Sequence, residues 1–382
     1  MLPTLYDAGR WSARGVRVTL LDSSPFLYYS GMVPEFLGGV YDRDEVRINL
    51  RRLCDRAGVR FIESRAQQLD PERRVVTTAD GDPLSYDVAA VDIGAQNPGS
   101  LPRAIRTKPL YHIEALEDRI RATLDQSRRR LRLVVAGGGA AGVEIALNVT
   151  GRFAHHNRSD ALDLTIVEGS DRLLPNFPSS MGNYVAGLLE TRGAQLETGS
   201  LVEAVHEDAA VLDDQRTLPA DRVLWSTGSV GPDLFEDAGL VCDEKGFARV
   251  APTLQCMGFP RLFAAGDCAT VAGHEALRKV GVHAVKQGPV LRANLELALS
   301  ALTAGQAPHA WPLDTFEPYW MAPLIFSTGA PEGLWTAGPF WLRSRSVLRL
   351  KHVIDRRWIR RYNPAWDDAG PLQLADATAA TM

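Results

Sequence analysis

The segment Leu131–Gly142, LRLVVAGGGAAG, restricts the possible folds more than any other part of the chain. An apolar run of strand length enters three glycines, Gly137, Gly139 and Gly142, spaced G-x-G-x-x-G. A second apolar-periodic stretch, VEIALNV, follows. Each glycine has a physical task. Gly137 turns the chain sharply out of the strand. Gly139 lacks a Cβ, so the backbone can approach a pyrophosphate. Gly142 lets the helix lie close against the strand, and the small residues Gly138 and Ala141 complete the loop. The helix N-terminus then offers unpaired N–H groups and the positive end of its dipole to phosphate. The next apolar run, LDLTIVE, closes on Glu168. A carboxylate there can accept hydrogen bonds from both hydroxyls of an adenosine ribose and repels a 2′-phosphate, which favours NAD(H) over NADP(H). Arg172, just beyond, is a candidate to soften that preference.

Periodicity extends this unit along the chain. Strands are expected at Val16–Asp22, Arg60–Leu69, Val75–Thr78, Val88–Ile93, Leu131–Ala136, Leu162–Glu168, Val223–Ser226 and Leu262–Ala265. Helices are expected at Arg47–Ala57, Glu114–Arg128, Ala140–Arg152, around Val185–Thr191 and at Val282–Leu297. Strands alternating with helices imply parallel, doubly wound sheets. A strand ending in an acid occurs twice, VRVTLLD at Asp22 and LDLTIVE at Glu168, so the chain contains a large internal echo.

Composition excludes several functions. The net charge of −4 over 382 residues provides no positive field for nucleic acid. The four cysteines, Cys54, Cys242, Cys256 and Cys268, form no CxxC pair, and no His/Cys cluster has zinc spacing, so neither dithiol chemistry nor a metal site is expected. No apolar run is long enough to span a bilayer, and the N-terminus lacks the apolar core of a signal peptide. A cytoplasmic location is expected.

A second chemical signal is Arg261–Asp267, RLFAAGD. Its buried strand ends in Gly266 and Asp267, a turn that lets a sugar alcohol approach a carboxylate. It follows LWSTG, which ends in Gly228, and precedes the long helix near Val282. GGGAAG, STG and FAAGD, in this order and at these separations, resemble the pyridine-nucleotide-dependent flavoprotein reductases that carry two dinucleotide-binding domains. YDVAAVDIGAQ (Tyr86–Gln96) resembles the point where the first domain of that family crosses to the second. YYSGMVPEFLGGVY (Tyr28–Tyr41) and GVHAVKQGPVLRANL (Gly281–Leu295) look like the branch related to type II NADH dehydrogenases, especially the flavoprotein module found joined to selenide, water dikinase.

The resemblance implies an α/β protein with two doubly wound dinucleotide-binding domains, one for FAD and one for NAD, and a small C-terminal α+β segment. The corresponding ranges are 1–110 with 240–310 for FAD, 111–239 for NAD, and 311–382 for the C-terminal segment. It implies FAD contacts at Asp22, Tyr29, Ser30, Gly31, Met32, Gly94, Gly266, Asp267 and Val285. NAD contacts fall on Gly137, Gly138, Gly139, Ala141, Gly142, Glu168 and Gly228. Glu144, on the first turn of the NAD helix, is implied to point towards nicotinamide and flavin, although a charge near a helix N-terminus also fits. Lys286 is a candidate to hold the negative charge of reduced flavin, or is a solvated lysine.

The family pattern places a strand and a glycine loop before the first acid. Only 21 residues precede Asp22, and Gly9 and Gly15 are their only glycines. The first strand and G-x-G-x-x-G of the FAD domain are therefore expected to be absent here, leaving an apolar-lined slot in the sheet. Either the start lies upstream or the chain has lost its flavin.

With no cysteine pair, the implied reaction is hydride transfer from NADH to FAD and electron transfer to a quinone or similar diffusible carrier. The alternative is a non-catalytic NAD-binding module, or an inactive truncated form, that supports a partner in selenium metabolism. Residues 341–362 bear on location: eight Arg and Lys face one acid, Asp355, among apolar residues at roughly helical spacing. Such a helix packs on a domain with a basic outer face, lies on the inner face of a membrane, or docks a protein partner. An aromatic-rich stretch, Trp311, Phe316, Tyr319, Trp320, Phe326, Trp335 and Phe340, precedes it. A homodimer is left open.

Overall fold

The computed structural model describes residues 2–5, 8–99, 101–126 and 129–363. Its central feature is a five-stranded parallel sheet. Leu131–Ala136 pairs with Leu162–Glu168 on one side and Arg222–Trp225 on the other. Gln195–Thr198 and Ile105–Arg106 complete the edges. Leu131, Leu133, Val135, Ile166 and Leu224 are wholly buried, as expected of strands covered on both faces. Ile105–Arg106 joins this sheet although it precedes residue 110, because its parallel pairing with Leu224–Trp225 gives its backbone groups their partners.

The second unit is split. Ala89–Val91 pairs in parallel with Phe259–Ala264 in a five-stranded mixed sheet. Thr19–Asp22 pairs in parallel with Arg60–Glu63 as a separate two-stranded sheet. Among the described residues, no strand bridges Thr19–Asp22 and Ala89–Val91. The long helix Gly281–Thr303 packs beside the second unit, and Trp11 and Arg14 of the N-terminal segment bond to its Glu296. The C-terminal part is an antiparallel sheet, Leu324–Ala330, Glu332–Ala337 and Phe340–Ser344, followed by the helix Arg345–Arg360.

Three sequence expectations shift for local reasons. The helix expected at Arg47 starts at Leu50: Arg47–Asn49 is a strand against Phe26–Tyr28, and the Asn49 side chain caps the helix by accepting from the Arg52 N–H at 2.9 Å. The strand expected over Arg60–Leu69 divides into Arg60–Glu63 and Ala66–Asp70. Its first half pairs in parallel with Thr19–Asp22, and its second half forms a hairpin with Val75–Thr78. The basic segment is not helical from Trp341, since Phe340–Ser344 completes a sheet. Its helix begins after Ser344, whose hydroxyl accepts from the Ser346 N–H. The helix expected to Arg128 ends at Asp125, and residues 127 and 128 lie outside the described residues, as do residues 364–382.

Candidate functional site

The glycine loop is built as its spacing predicts. Gly137 has φ +110°, and a Cβ on it would meet the Ser226 carbonyl oxygen at 2.6 Å. A Cβ on Gly142 would lie 2.0 Å from the Gly137 carbonyl oxygen. A Cβ on Gly139 would meet nothing within 4 Å, and Gly139 caps the helix Ala140–His155. Gly137 and Gly142 are closely packed, and the helix N-terminus is open at Gly139. That is the geometry a pyrophosphate requires. Across the loop, the Ser226 and Thr227 hydroxyls are buried with no protein partner. Orphaned polar atoms beside such a loop fit a nucleotide that supplies their hydrogen bonds.

Glu168 is held in place by the loop itself. Its Oε2 accepts from the Gly138 N–H at 2.7 Å and its Oε1 from the Ser170 N–H at 2.9 Å. A carboxylate has about four lone-pair sites, so two remain for ribose hydroxyls. Arg172 is engaged by the backbone of the following loop. Its guanidinium donates to the carbonyls of Leu173, Leu174, Pro175 and Phe177, stapling the following loop and leaving no free fork for a 2′-phosphate.

A cleft of about 3310 Å³ is lined by both pieces of the second unit and by the start of the helix Ala140–His155. Asp22, Tyr29, Ser30, Gly94, Asp267, Val285 and Lys286 all line it, as does Ala141. Burial raises the Asp22 carboxyl above its ordinary range, and the nearby Asp92 adds to this against hydrogen bonds from Ser24 and Ser23. Gly266 has φ +72°, a Cβ on it would strike Asp92 at 2.5 Å, and its N–H donates to Gln287 of the long helix. Gly94 has φ +69°, with open space where a Cβ would be. Asp267 and Gly94 together fit close approach of a sugar-bearing cofactor. Lys286 lies 4.1 Å over the Tyr319 ring.

Other expected residues are not part of the cleft lining. Met32 is wholly buried in the core and does not line the cleft, because it begins the short helix Val33–Leu37 beneath it. Gly31 turns its carbonyl to Lys351 instead. Glu144 does not line the cleft either. Its Oε1 accepts from the N–H and hydroxyl of Ser327 in the C-terminal sheet, and burial pushes its carboxyl up to about 7. Gly228 is held through its carbonyl by Asn97, whose side chain also bonds Thr227 and Thr107.

Sequence reasoning missed Asn97, Ser327, and Lys108, which bridges Ser229 and Asp267. None sits in a motif; each acts only through a partner distant in sequence. Of the aromatic stretch, Trp311, Phe316 and Phe326 are core, Tyr319 lines the cleft, and Trp320 and Phe340 are exposed.

A parallel sheet with a glycine loop at its helix junction, joined to a second sheet across a large cleft, defines the dinucleotide-binding α/β class. Residues 5–294 match the family model described as pyridine nucleotide-disulphide oxidoreductase, and the chain belongs to that family of oxidoreductases. The type II NADH:quinone oxidoreductase of Staphylococcus saprophyticus is 23% identical over 371 residues, covering 91% of this chain and 89% of that protein. Among solved structures, NDH2 of Plasmodium falciparum matches with a TM-score of 0.74 at 12% identity, covering 97% of each chain. The sulfide:quinone oxidoreductase of Aquifex aeolicus matches with a TM-score of 0.73 at 15% identity, covering 95% of this chain and 89% of that one.

Proposed function

We propose that the chain is an FAD-dependent NADH:quinone oxidoreductase. The observation that carries this reading is an open glycine loop at the start of a helix whose first turn, at Ala141, lines a cleft that also exposes the carboxylates Asp22 and Asp267. A relative named for NADH and quinone supports it. When bound, FAD would accept hydride from NADH and pass electrons on. The chain's own residues supply position and field. Gly139 admits the NADH pyrophosphate and Glu168 holds its ribose. Asp267 holds the FAD sugar chain, and the N-terminus of Gly281–Thr303 faces the growing negative charge. NADH is preferred to NADPH because Glu168 repels a 2′-phosphate and Arg172 is committed elsewhere. No cysteine lines the cleft, and Cys54, Cys256 and Cys268 are buried with thiols pushed up by desolvation, which favours a diffusible acceptor over a disulfide. The reading keeps the domain division of 1–110 with 240–310, 111–239 and 311–382, with Ile105–Arg106 reassigned to the NAD sheet.

The same reading brings the acceptor from a lipid surface. The helix Arg345–Arg360 exposes Leu350, Val353 and Ile354 beside Arg345, Arg349 and Arg357, with Phe340 and Leu342 exposed next to it. No described helix is long and apolar enough to cross a membrane, so contact would be peripheral. The test is NADH-dependent reduction of a soluble quinone by the FAD-loaded chain, with sedimentation on anionic vesicles. NADH oxidation without quinone reduction refutes the acceptor. Failure to sediment at low salt refutes the membrane contact.

A further inference from the structure

Four titratable side chains form one hydrogen-bonded line, and Tyr29, at the cleft, adjoins its Asp355 end. His352 Nε2 lies 2.5 Å from Glu35 Oε1. Lys351 Nζ donates to Glu35 Oε2 at 2.6 Å, to Asp355 Oδ2 at 2.7 Å and to the Gly31 carbonyl at 2.6 Å. Besides burial, Asp355 acts on the Tyr29 hydroxyl and helps raise its pKa, and the Tyr29 ring stacks on Trp358 with centroids 4.2 Å apart. The two ends open to different places. Tyr29 lines the cleft, while the His352 side chain is 25% exposed and is not part of the cleft lining. The three groups between them are buried.

This burial is costly unless the groups serve each other or a function. Burial alone would discharge Lys351, but the carboxyls of Glu144, Asp355 and Glu35 more than reverse that and hold its ammonium charged. Three carboxyls thus surround one buried cation, and the excess negative charge favours an additional proton within the group. Glu35 is held below the ordinary carboxyl range despite its burial, by His352 and Lys351, whereas burial raises Asp355. The groups facing His352 are Glu35 and Tyr41 from the segment packed against it, with Lys351, Asp355 and Arg356 on its own helix.

We propose that His352 and Glu35 form the solvent end, and Asp355 and Tyr29 the cleft end, of a proton route joined at Lys351. The inference rests on the NADH:quinone reading. Reduction of a quinone to a quinol takes two electrons and two protons. NADH supplies both electrons and one proton as hydride, so the second proton comes from solvent. That proton enters at His352 and passes to Glu35. Lys351 takes it from Glu35 as it gives one to Asp355. Tyr29 donates its hydroxyl proton to a quinone oxygen and recovers one from Asp355. The chain ends as it began, and the net reaction is NADH, a proton and quinone giving NAD⁺ and quinol.

The test compares the full chain, loaded with FAD, with His352→Leu and Glu35→Gln. Ferricyanide takes electrons without protons and is the control acceptor. His352→Leu should lower quinone turnover by about tenfold or more while sparing ferricyanide turnover, and imidazole in the buffer should restore it. Equal loss on both acceptors without rescue, or no loss at all, overturns the route. An arm independent of activity follows the infrared band of the Asp355 carboxyl, assigned by its loss in Asp355→Asn, after a downward pH jump. Re-equilibration should slow by about tenfold in His352→Leu, and an unchanged rate overturns the proposal. Glu35→Gln should slow it likewise, which guards against a folding defect in one variant. If the wild type reduces ferricyanide but no quinone, the acceptor reading fails while the infrared arm still decides the route.

Discussion

Gly139→Ala and Gly142→Ala change the same loop and are expected to fail in opposite ways. A methyl at 142 would lie 2.0 Å from the Gly137 carbonyl oxygen, whereas ordinary contact begins at 3.4 Å. The difference, 3.4 less 2.0, requires the helix to retreat by about 1.4 Å from the strand it packs on. The obstructing atom is backbone and cannot rotate aside, so the cost belongs at the upper end of overpacking, about 3 kcal/mol. A methyl at 139 meets no protein atom within 4 Å, and its backbone, φ −75° and ψ −172°, is open to alanine. Stability should therefore change by less than about 1 kcal/mol. The methyl instead occupies the space a pyrophosphate needs, so NADH affinity should fall at least about tenfold, or about 1.4 kcal/mol. Urea unfolding and calorimetric NADH titration of both variants separate the two losses. If Gly139→Ala binds NADH like the wild type, the loop does not hold pyrophosphate. If Gly142→Ala is as stable as the wild type, the helix–strand contact is not as tight as this geometry requires.

Two further predictions follow from the carboxylates. Glu168→Ala removes the acceptor of the Gly138 and Ser170 N–H groups and should weaken NADH binding by about tenfold or more without raising NADPH affinity to match, since Arg172 stays committed to its loop; a titration with both nucleotides decides this. Glu144 titrates at about 7 in the folded chain, above its ordinary 4.5, so the native state holds the extra proton between these values. Its burial therefore destabilises the fold progressively as pH rises from about 4.5 to about 7, by up to about 3 kcal/mol. Glu144→Gln should remove that slope and raise stability above neutrality, and unfolding curves at both ends of the range that stay parallel to the wild type would refute the assignment.

Local chemistry explains what could be read early. A glycine pattern encodes its own backbone path, and burial on both faces writes a strand as an apolar run, so Leu131–Ala136, Leu162–Glu168 and the Gly139 opening were legible in the chain. Boundaries were less so. Arg47–Asn49 carries a helical apolar pattern, yet pairing with Phe26–Tyr28 claims its backbone. The basic segment showed the same limit: its composition suggested an amphipathic helix from Trp341, but sheet pairing with Glu332–Ala337 takes the first residues.

The sequence by itself determined the nucleotide loop, the acid that follows it and the strand–helix alternation, because each depends on residues within one or two turns of chain. Tertiary structure decided what Glu144 and the basic helix do. Ser327 binds Glu144 from 183 residues away, and Lys351 meets Glu35 across 316. A Cβ on Gly151 would stand 2.2 Å from the Gly329 carbonyl oxygen, so two glycines with no motif between them set how closely the NAD helix meets the C-terminal sheet. No local pattern encodes such contacts: burial and charge acquire their energy only when distant segments are brought together and water is excluded.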